Sequence, residues 1–337
     1  MIYPKFLTNK SKIGVTAPSD GITKETDIIR INNAIKNLEK EGFTVEETKN
    51  VRTSKNNRSS SPKERAKQLE ELFKNKDIDL ILSASGGEFL MEMIPFLNYK
   101  VIKENPKWFQ GYSDPTWLTY TITTNLDIAT IYSNNYKAFG MKKPHKSILN
   151  NIDILKGKNI TQTSFLKYEK EKRKTETGLE EYNLTEKVNW KIITKENEVK
   201  AKGRIIGGCL DVISDIVGTK YDKTKEFIEK YKQDGIIWYL ENFSLSAENI
   251  TRLLWKLKEN GYFKYTKLII FGRNCMYTSI FNKTFEETVK ESLKDLKIPI
   301  IIDVDIGHIA PRITIINGAI AHITSKDGKG KISFELK

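Results

Sequence analysis

Short apolar runs alternate with stretches of helical period along the first 150 residues. Residues 12–17 read as a strand that stops at Pro18-Ser19-Asp20. A helix is expected over about residues 24–41, closed by Gly42 at the position where glycine takes up the left-handed turn. Residues 43–46 form a second candidate strand. Ser61-Pro62-Lys63-Glu64 opens another helix, running to about residue 75, with the serine placed to cap its first turn. Residues 78–83 are an apolar run, fit for a buried parallel strand, and the run ends at Ser85-Gly86-Gly87. Residues 108–112 and 129–133 are two more strands. This order predicts an α/β fold with a parallel sheet between helices.

From about residue 150 to 202 the periodicity fades into lysine and glutamate, broken only by Val188-Asn189-Trp190-Lys191-Ile192. The stretch reads as a linker with some strand content. Ordered alternation resumes at Gly203 with Arg204-Ile205-Ile206-Gly207-Gly208, a strand turning into a helix near Leu210. Strands are expected over residues 236–240, 268–271 and 300–304, and helices over 246–260 and 284–296. Residues 314–323 and 331–336 look like short strands joined by glycine turns. The chain therefore divides into an N-terminal α/β domain, 1–150, a linker, 151–202, and a second α/β domain, 203–337, richer in antiparallel strands.

Composition narrows the function. The 337 residues are 39% hydrophobic and 29% charged, an ordinary globular balance. No run is long and apolar enough to cross a bilayer, and no apolar signal core follows the first residues, so a cytoplasmic protein without a membrane partner is expected. Cys209 and Cys275 stand far apart and suggest neither a disulfide framework nor a zinc site. The net charge of +13 raises the question of nucleic acid. Yet the lysines interleave with glutamates, as over residues 167–174, a pattern typical of solvated helix faces, so no nucleic-acid partner is expected.

One heptapeptide carries chemistry: Gln110-Gly111-Tyr112-Ser113-Asp114-Pro115-Thr116. It sets a serine on a turn between an apolar strand and a helix that Pro115 is suited to start. A hydroxyl at a helix N-terminus can attack a carbonyl while free backbone N–H groups receive the oxyanion. The pattern is not the G-x-S-x-G elbow, because Pro115 stands two residues after Ser113. Of three histidines, His145 lies in a basic loop and His322 in a strand. His308 lies between Gly307 and Pro311 at the end of a buried strand, where α/β proteins place functional side chains. It can be a catalytic base or a satisfied core residue. Among 43 acidic residues, Glu241 is distinguished by ending the strand 236–240; it can orient a base or simply cap or pair. Gly86 and Gly87 could offer backbone N–H groups or form an ordinary turn. No phosphate-loop pattern is present.

These segments, together with Gly14-Val15-Thr16-Ala17-Pro18-Ser19, Leu240-Glu241-Asn242, Phe271-Gly272-Arg273 and Gly307-His308, resemble in order the S66 serine peptidases. That family comprises L,D-carboxypeptidases and microcin C immunity peptidases. The resemblance implies a flavodoxin-like N-terminal domain, a swivelling-type C-terminal domain and a site between them. It implies Ser113 as nucleophile, His308 as base, Glu241 as orienting acid, and an oxyanion hole from the N–H groups of Gly87 and Asp114, with Gly86 as the alternative first donor. No metal or cofactor is implied. The long linker is similar to that of the immunity branch, which carries a base-stacking tryptophan there. Trp190 would hold that place, or would pack within its own domain. The resemblance implies a small peptide or peptidyl-nucleotide substrate, with murein tetrapeptides as the alternative, and a homodimer.

Overall fold

The structure, a computed structural model, describes residues 1–171 and 173–337; Lys172 of the charged run lies outside the described residues. Five of the six strands of the first sheet come from the N-terminal part: β1 (Lys12–Thr16), β2 (Thr44–Glu47), β3 (Ile78–Ser83), β4 (Trp108–Gly111) and β5 (Thr130–Tyr132). They are parallel and lie in the order 2-1-3-4-5, the flavodoxin-like arrangement. The helices between them are α1 (Glu25–Lys40), α2 (Pro62–Lys74), α3 (Tyr99–Glu104), α4 (Thr116–Leu126) and α5 (Lys146–Leu155). Ser61 caps α2 as its sequence suggests, accepting the Glu64 N–H at 3.3 Å. The Glu64 carboxylate instead takes a hydrogen bond from Gln68. Gly42 follows α1 with φ of +91°, a conformation that costs glycine little.

The second sheet has eight strands. Its centre is parallel: β10 (Glu198–Cys209), β11 (Ile236–Glu241), β12 (Thr266–Gly272) and β13 (Ile300–Val304). Antiparallel strands flank it, with β15 (Ile320–Lys326), β16 (Lys329–Glu335) and β6 (Gln162–Thr163) on one side and β9 (Lys191–Ile192) on the other. The helices are α6 (Leu210–Ile216), α7 (Thr224–Lys230), α8 (Ala247–Glu259) and α9 (Phe285–Leu293).

One expectation changes. The described residues of the charged stretch 167–174 are not a helix face. The start of the stretch forms β7 (Lys167–Tyr168), paired with β8 (Glu186–Lys187), while β6 and β9 of the same linker close the two edges of the second sheet. Two-residue strands are too short to show a period of two. Residues 314–323 are short strands joined by a glycine turn, as expected. Gly318, at φ of +83°, breaks them into β14 (Ile315–Asn317), which pairs antiparallel with β5 of the first sheet, and β15 of the second. The chain thus stitches both sheets together near its end.

α4 lies between the two halves and is buried over nearly its whole length, although five of its eleven residues are threonines. The hydroxyls of Thr121 and Thr124 donate to the carbonyls one turn back, Trp117 and Tyr120. Such bonds satisfy most of its buried hydroxyls, although that of Thr119 has no hydrogen-bond partner among the described residues.

Candidate active site

Ser113 follows β4 on a turn held at φ of +72°, a region that costs a residue with a Cβ about 1–3 kcal/mol. Gly111 makes the turn possible, since a Cβ there would lie 2.7 Å from that of Pro115. Pro115 caps α4 and does not begin it, a shift of one residue within the ordinary uncertainty of helix ends. The turn aims Ser113 at the second sheet. Glu241 is the last residue of β11, and His308 sits in the loop after β13. Both sheets therefore present the C-terminal ends of parallel strands to one cleft.

In that cleft His308 Nε2 lies 2.9 Å from Ser113 Oγ, and His308 Nδ1 lies 2.9 Å from Glu241 Oε2. A carboxylate can only accept, so Nδ1–H donates to it and Nε2 is left to accept from the serine. The Tyr132 hydroxyl donates to the other glutamate oxygen at 2.6 Å and accepts the Ser113 N–H at 3.4 Å. Glu241 is fully buried. Burial opposes its ionisation, but His308, Tyr132 and the charge of Arg312 together outweigh that and hold its carboxyl below the usual range. Gly307, at φ of +93°, has to be glycine: a Cβ would stand 2.6 Å from Glu241 Oε2. The rings of Phe243 and Tyr112 pack on the imidazole at centroid distances of 4.4 and 5.3 Å.

A family profile described as the LD-carboxypeptidase N-terminal domain matches residues 13–133, and one described as the LD-carboxypeptidase C-terminal domain matches residues 202–323. Together they span more than half of the chain. The chain belongs to the S66 peptidase family. It is a serine carboxypeptidase-type hydrolase. Among its S66 relatives, the microcin C7 self-immunity protein MccF of Escherichia coli is 30% identical over 85% of this chain and 83% of its own. A probable murein peptide carboxypeptidase of Bacillus subtilis is 23% identical over 96% and 92%. A solved structure of MccF in complex with aspartyl sulfamoyl adenosine matches at 27% identity with a TM-score of 0.84, covering 100% of both chains.

Within this S66 site the structure separates the expected residues. Gly86 lies against the serine, for a Cβ there would come within 3.0 Å of Ser113 Oγ. Gly87 packs on Ser19. The Asp114 side chain turns away from the cleft, accepting from the Ser19 hydroxyl and, at 2.9 Å, from the Leu90 N–H. Burial pushes its carboxyl up to about 6. Trp190 is not at the cleft. It is buried in the core, its Nε1–H donates to Asp305 Oδ2 at 2.9 Å, and a Cβ on Gly330 would strike its ring. That corrects the reading of Trp190 as a stacking platform and leaves the packing role. Asp305 Oδ2 also accepts the Phe165 N–H, and Oδ1 pairs with Arg273 at 2.7 Å. The tryptophan thereby ties the linker to the segment that leads into His308.

Sequence reasoning missed Tyr132, Tyr112, Phe243 and Arg312. Aromatic residues in strands look like core, and one arginine among 56 basic residues carries no signal. The thiol of Cys209 also comes within 4.8 Å of Glu241 and His308. Burial, with Glu241 next, pushes that thiol well above its ordinary range. Beside His308 a cavity of about 260 Å³ adjoins a second of about 270 Å³, and both are lined by Tyr112, Lys137 and Ala138.

Proposed function

We propose that this chain hydrolyses an amide bond in a peptidyl or aminoacyl nucleotide, conferring immunity of the microcin C kind, with Ser113, His308 and Glu241 as its catalytic triad. The observation that carries the mechanism is the single imidazole bonded at one nitrogen to the serine and at the other to the buried glutamate. His308 takes the Ser113 proton as Oγ attacks the carbonyl carbon. Glu241 holds the ring in its tautomer and stabilises the imidazolium, and Tyr132 keeps Glu241 ionised and in place. The N–H groups of Gly87 and Asp114 receive the oxyanion, with Gly86 shaping the floor beside them. His308 then returns the proton to the leaving nitrogen. Water, activated by the same imidazole, releases the acyl group from Ser113.

The nucleotide substrate is supported by the MccF complexes with aspartyl sulfamoyl adenosine and glutamyl sulfamoyl guanosine, both matching at 27% identity over nearly the whole chain. The murein peptide carboxypeptidase relative favours a second reading, removal of a D-residue from a murein tetrapeptide. By the same resemblance we take the enzyme to be a cytoplasmic homodimer, acting on a small substrate and not on nucleic acid. No helix among the described residues is long and apolar enough to cross a membrane.

Hydrolysis of an aspartyl adenylate analogue and of an L,D-linked tetrapeptide, followed side by side by mass spectrometry, decides between the readings. The expected result is cleavage of the adenylate analogue by wild type, lowered at least ~10³-fold in Ser113→Ala. Cleavage of the tetrapeptide alone selects the second reading. Undiminished turnover by Ser113→Ala contradicts the mechanism.

A further inference from the structure

Arg312 is a cation in a place where cations are seldom left alone. Its side chain is 5% exposed, yet among the described residues it makes no ion pair. Nε donates to the Gly307 carbonyl at 2.8 Å and Nη1 to Asn134 Oδ1 at 2.6 Å, both neutral acceptors. The guanidinium carbon lies 4.2 Å above the Tyr112 ring. A buried charge is normally matched by an opposite one, because desolvation is otherwise uncompensated. Here burial works to lower the guanidinium's affinity for its proton, but the surrounding hydroxyls and Glu241 outweigh it, so Arg312 stays charged.

The same arginine lines the cavity beside His308. Arg173 and Glu181 also line it, and the remaining charges there are already engaged. Lys137 pairs with Asp27 at 3.1 Å, Arg30 donates to the carbonyls of Lys137, Gly178 and Glu180, and Glu169 accepts the Asn183 N–H. Glu180 is taken up by the Thr177 N–H and hydroxyl. Arg312 is thus a preorganised cation, fixed by its bond to the residue next to His308, facing the space where a substrate must lie.

We propose that Arg312 is the anion receptor of the substrate pocket, binding an oxyanion group close to the scissile amide. It rests on the site assignment made above. Two groups have this chemistry: the terminal carboxylate of a peptide and the phosphoryl oxygen of an aminoacyl nucleotide. A planar guanidinium with free N–H groups suits either.

Binding to Ser113→Ala protein, which removes turnover from the measurement, tests this by calorimetry. The ligands are two matched pairs: a tetrapeptide acid with its C-terminal amide, and an aspartyl adenosine phosphoramidate with its uncharged phosphoryl methyl ester. The expected result is that the anionic member of one pair binds at least tenfold tighter than its neutral partner. Adding Arg312→Gln should abolish that preference, and Arg312→Lys should recover part of it. The pair that discriminates identifies the anion as carboxylate or phosphoryl. If Arg312 only holds the Gly307 loop, both members weaken equally and the preference survives. That result, equal binding of the charged and neutral members, or no binding of any of the four ligands overturns the proposal. Turnover by wild type is measured separately, so a failure of the catalytic reading shows there and not in the preference ratio.

Discussion

At the scale of single residues, the site is assembled by positions that have little freedom. Ser113 holds a positive φ on a turn where Gly111 has no room for a Cβ beside Pro115. Gly307 has no alternative beside Glu241. Asp114 pays a cost that pH can read. Its carboxyl sits near 6 in the folded chain against an ordinary 3.8. Between those values the folded state holds a proton that the unfolded state has lost, so stability falls as pH rises from about 4 to 6. The loss is of order 3 kcal/mol at most. Asp114→Asn keeps an acceptor for Ser19 and Leu90 but cannot ionise. Urea midpoints of the variant should therefore gain on wild type as pH rises from 4 to 7. Parallel curves would show that the carboxyl is not buried in this way.

The residues themselves were unequally legible. Ser113 announces itself by a strand, a sharp turn and a proline. His308 does so by the glycine before it and the irregular loop around it. Glu241 is one strand-end acid among many and was separable only by resemblance. Tyr132 and Phe243 were invisible, since what makes them matter is a partner more than one hundred, or some sixty, positions away.

At the scale of elements, the long runs were readable and the short ones were not. β3 and β11 are mostly apolar runs and stand where the pattern puts them. The linker strands β6 and β9 are two residues each, and their pairing is fixed by the sheet they join. Trp190 is the part of this linker that can be tested. In Trp190→Phe the ring still fills the core but the bond to Asp305 is gone. A loss of about 1–3 kcal/mol is expected in denaturant unfolding, with KM for an adenylate substrate unchanged. A raised KM at unaltered stability would return the tryptophan to the substrate.

At the scale of the whole molecule, the proposed catalysis depends on how two sheets meet. One supplies the serine, the other the glutamate and the histidine, and the buried α4, with β14 crossing between them, fixes their spacing. The parallel strands of each sheet follow from α/β patterning, but the mutual orientation of the sheets does not. Contacts such as Tyr120 with Thr224, at 2.8 Å, settle it, and they join segments a hundred residues apart. The central claim is that this meeting makes Ser113 a nucleophile. Intact-protein mass spectrometry after treatment with a fluorophosphonate reads that claim directly. The account predicts one adduct, mapping to Ser113, formed at least ~10³-fold more slowly in His308→Ala. An adduct on another residue, or labelling of Ser113 at the wild-type rate without His308, would contradict it.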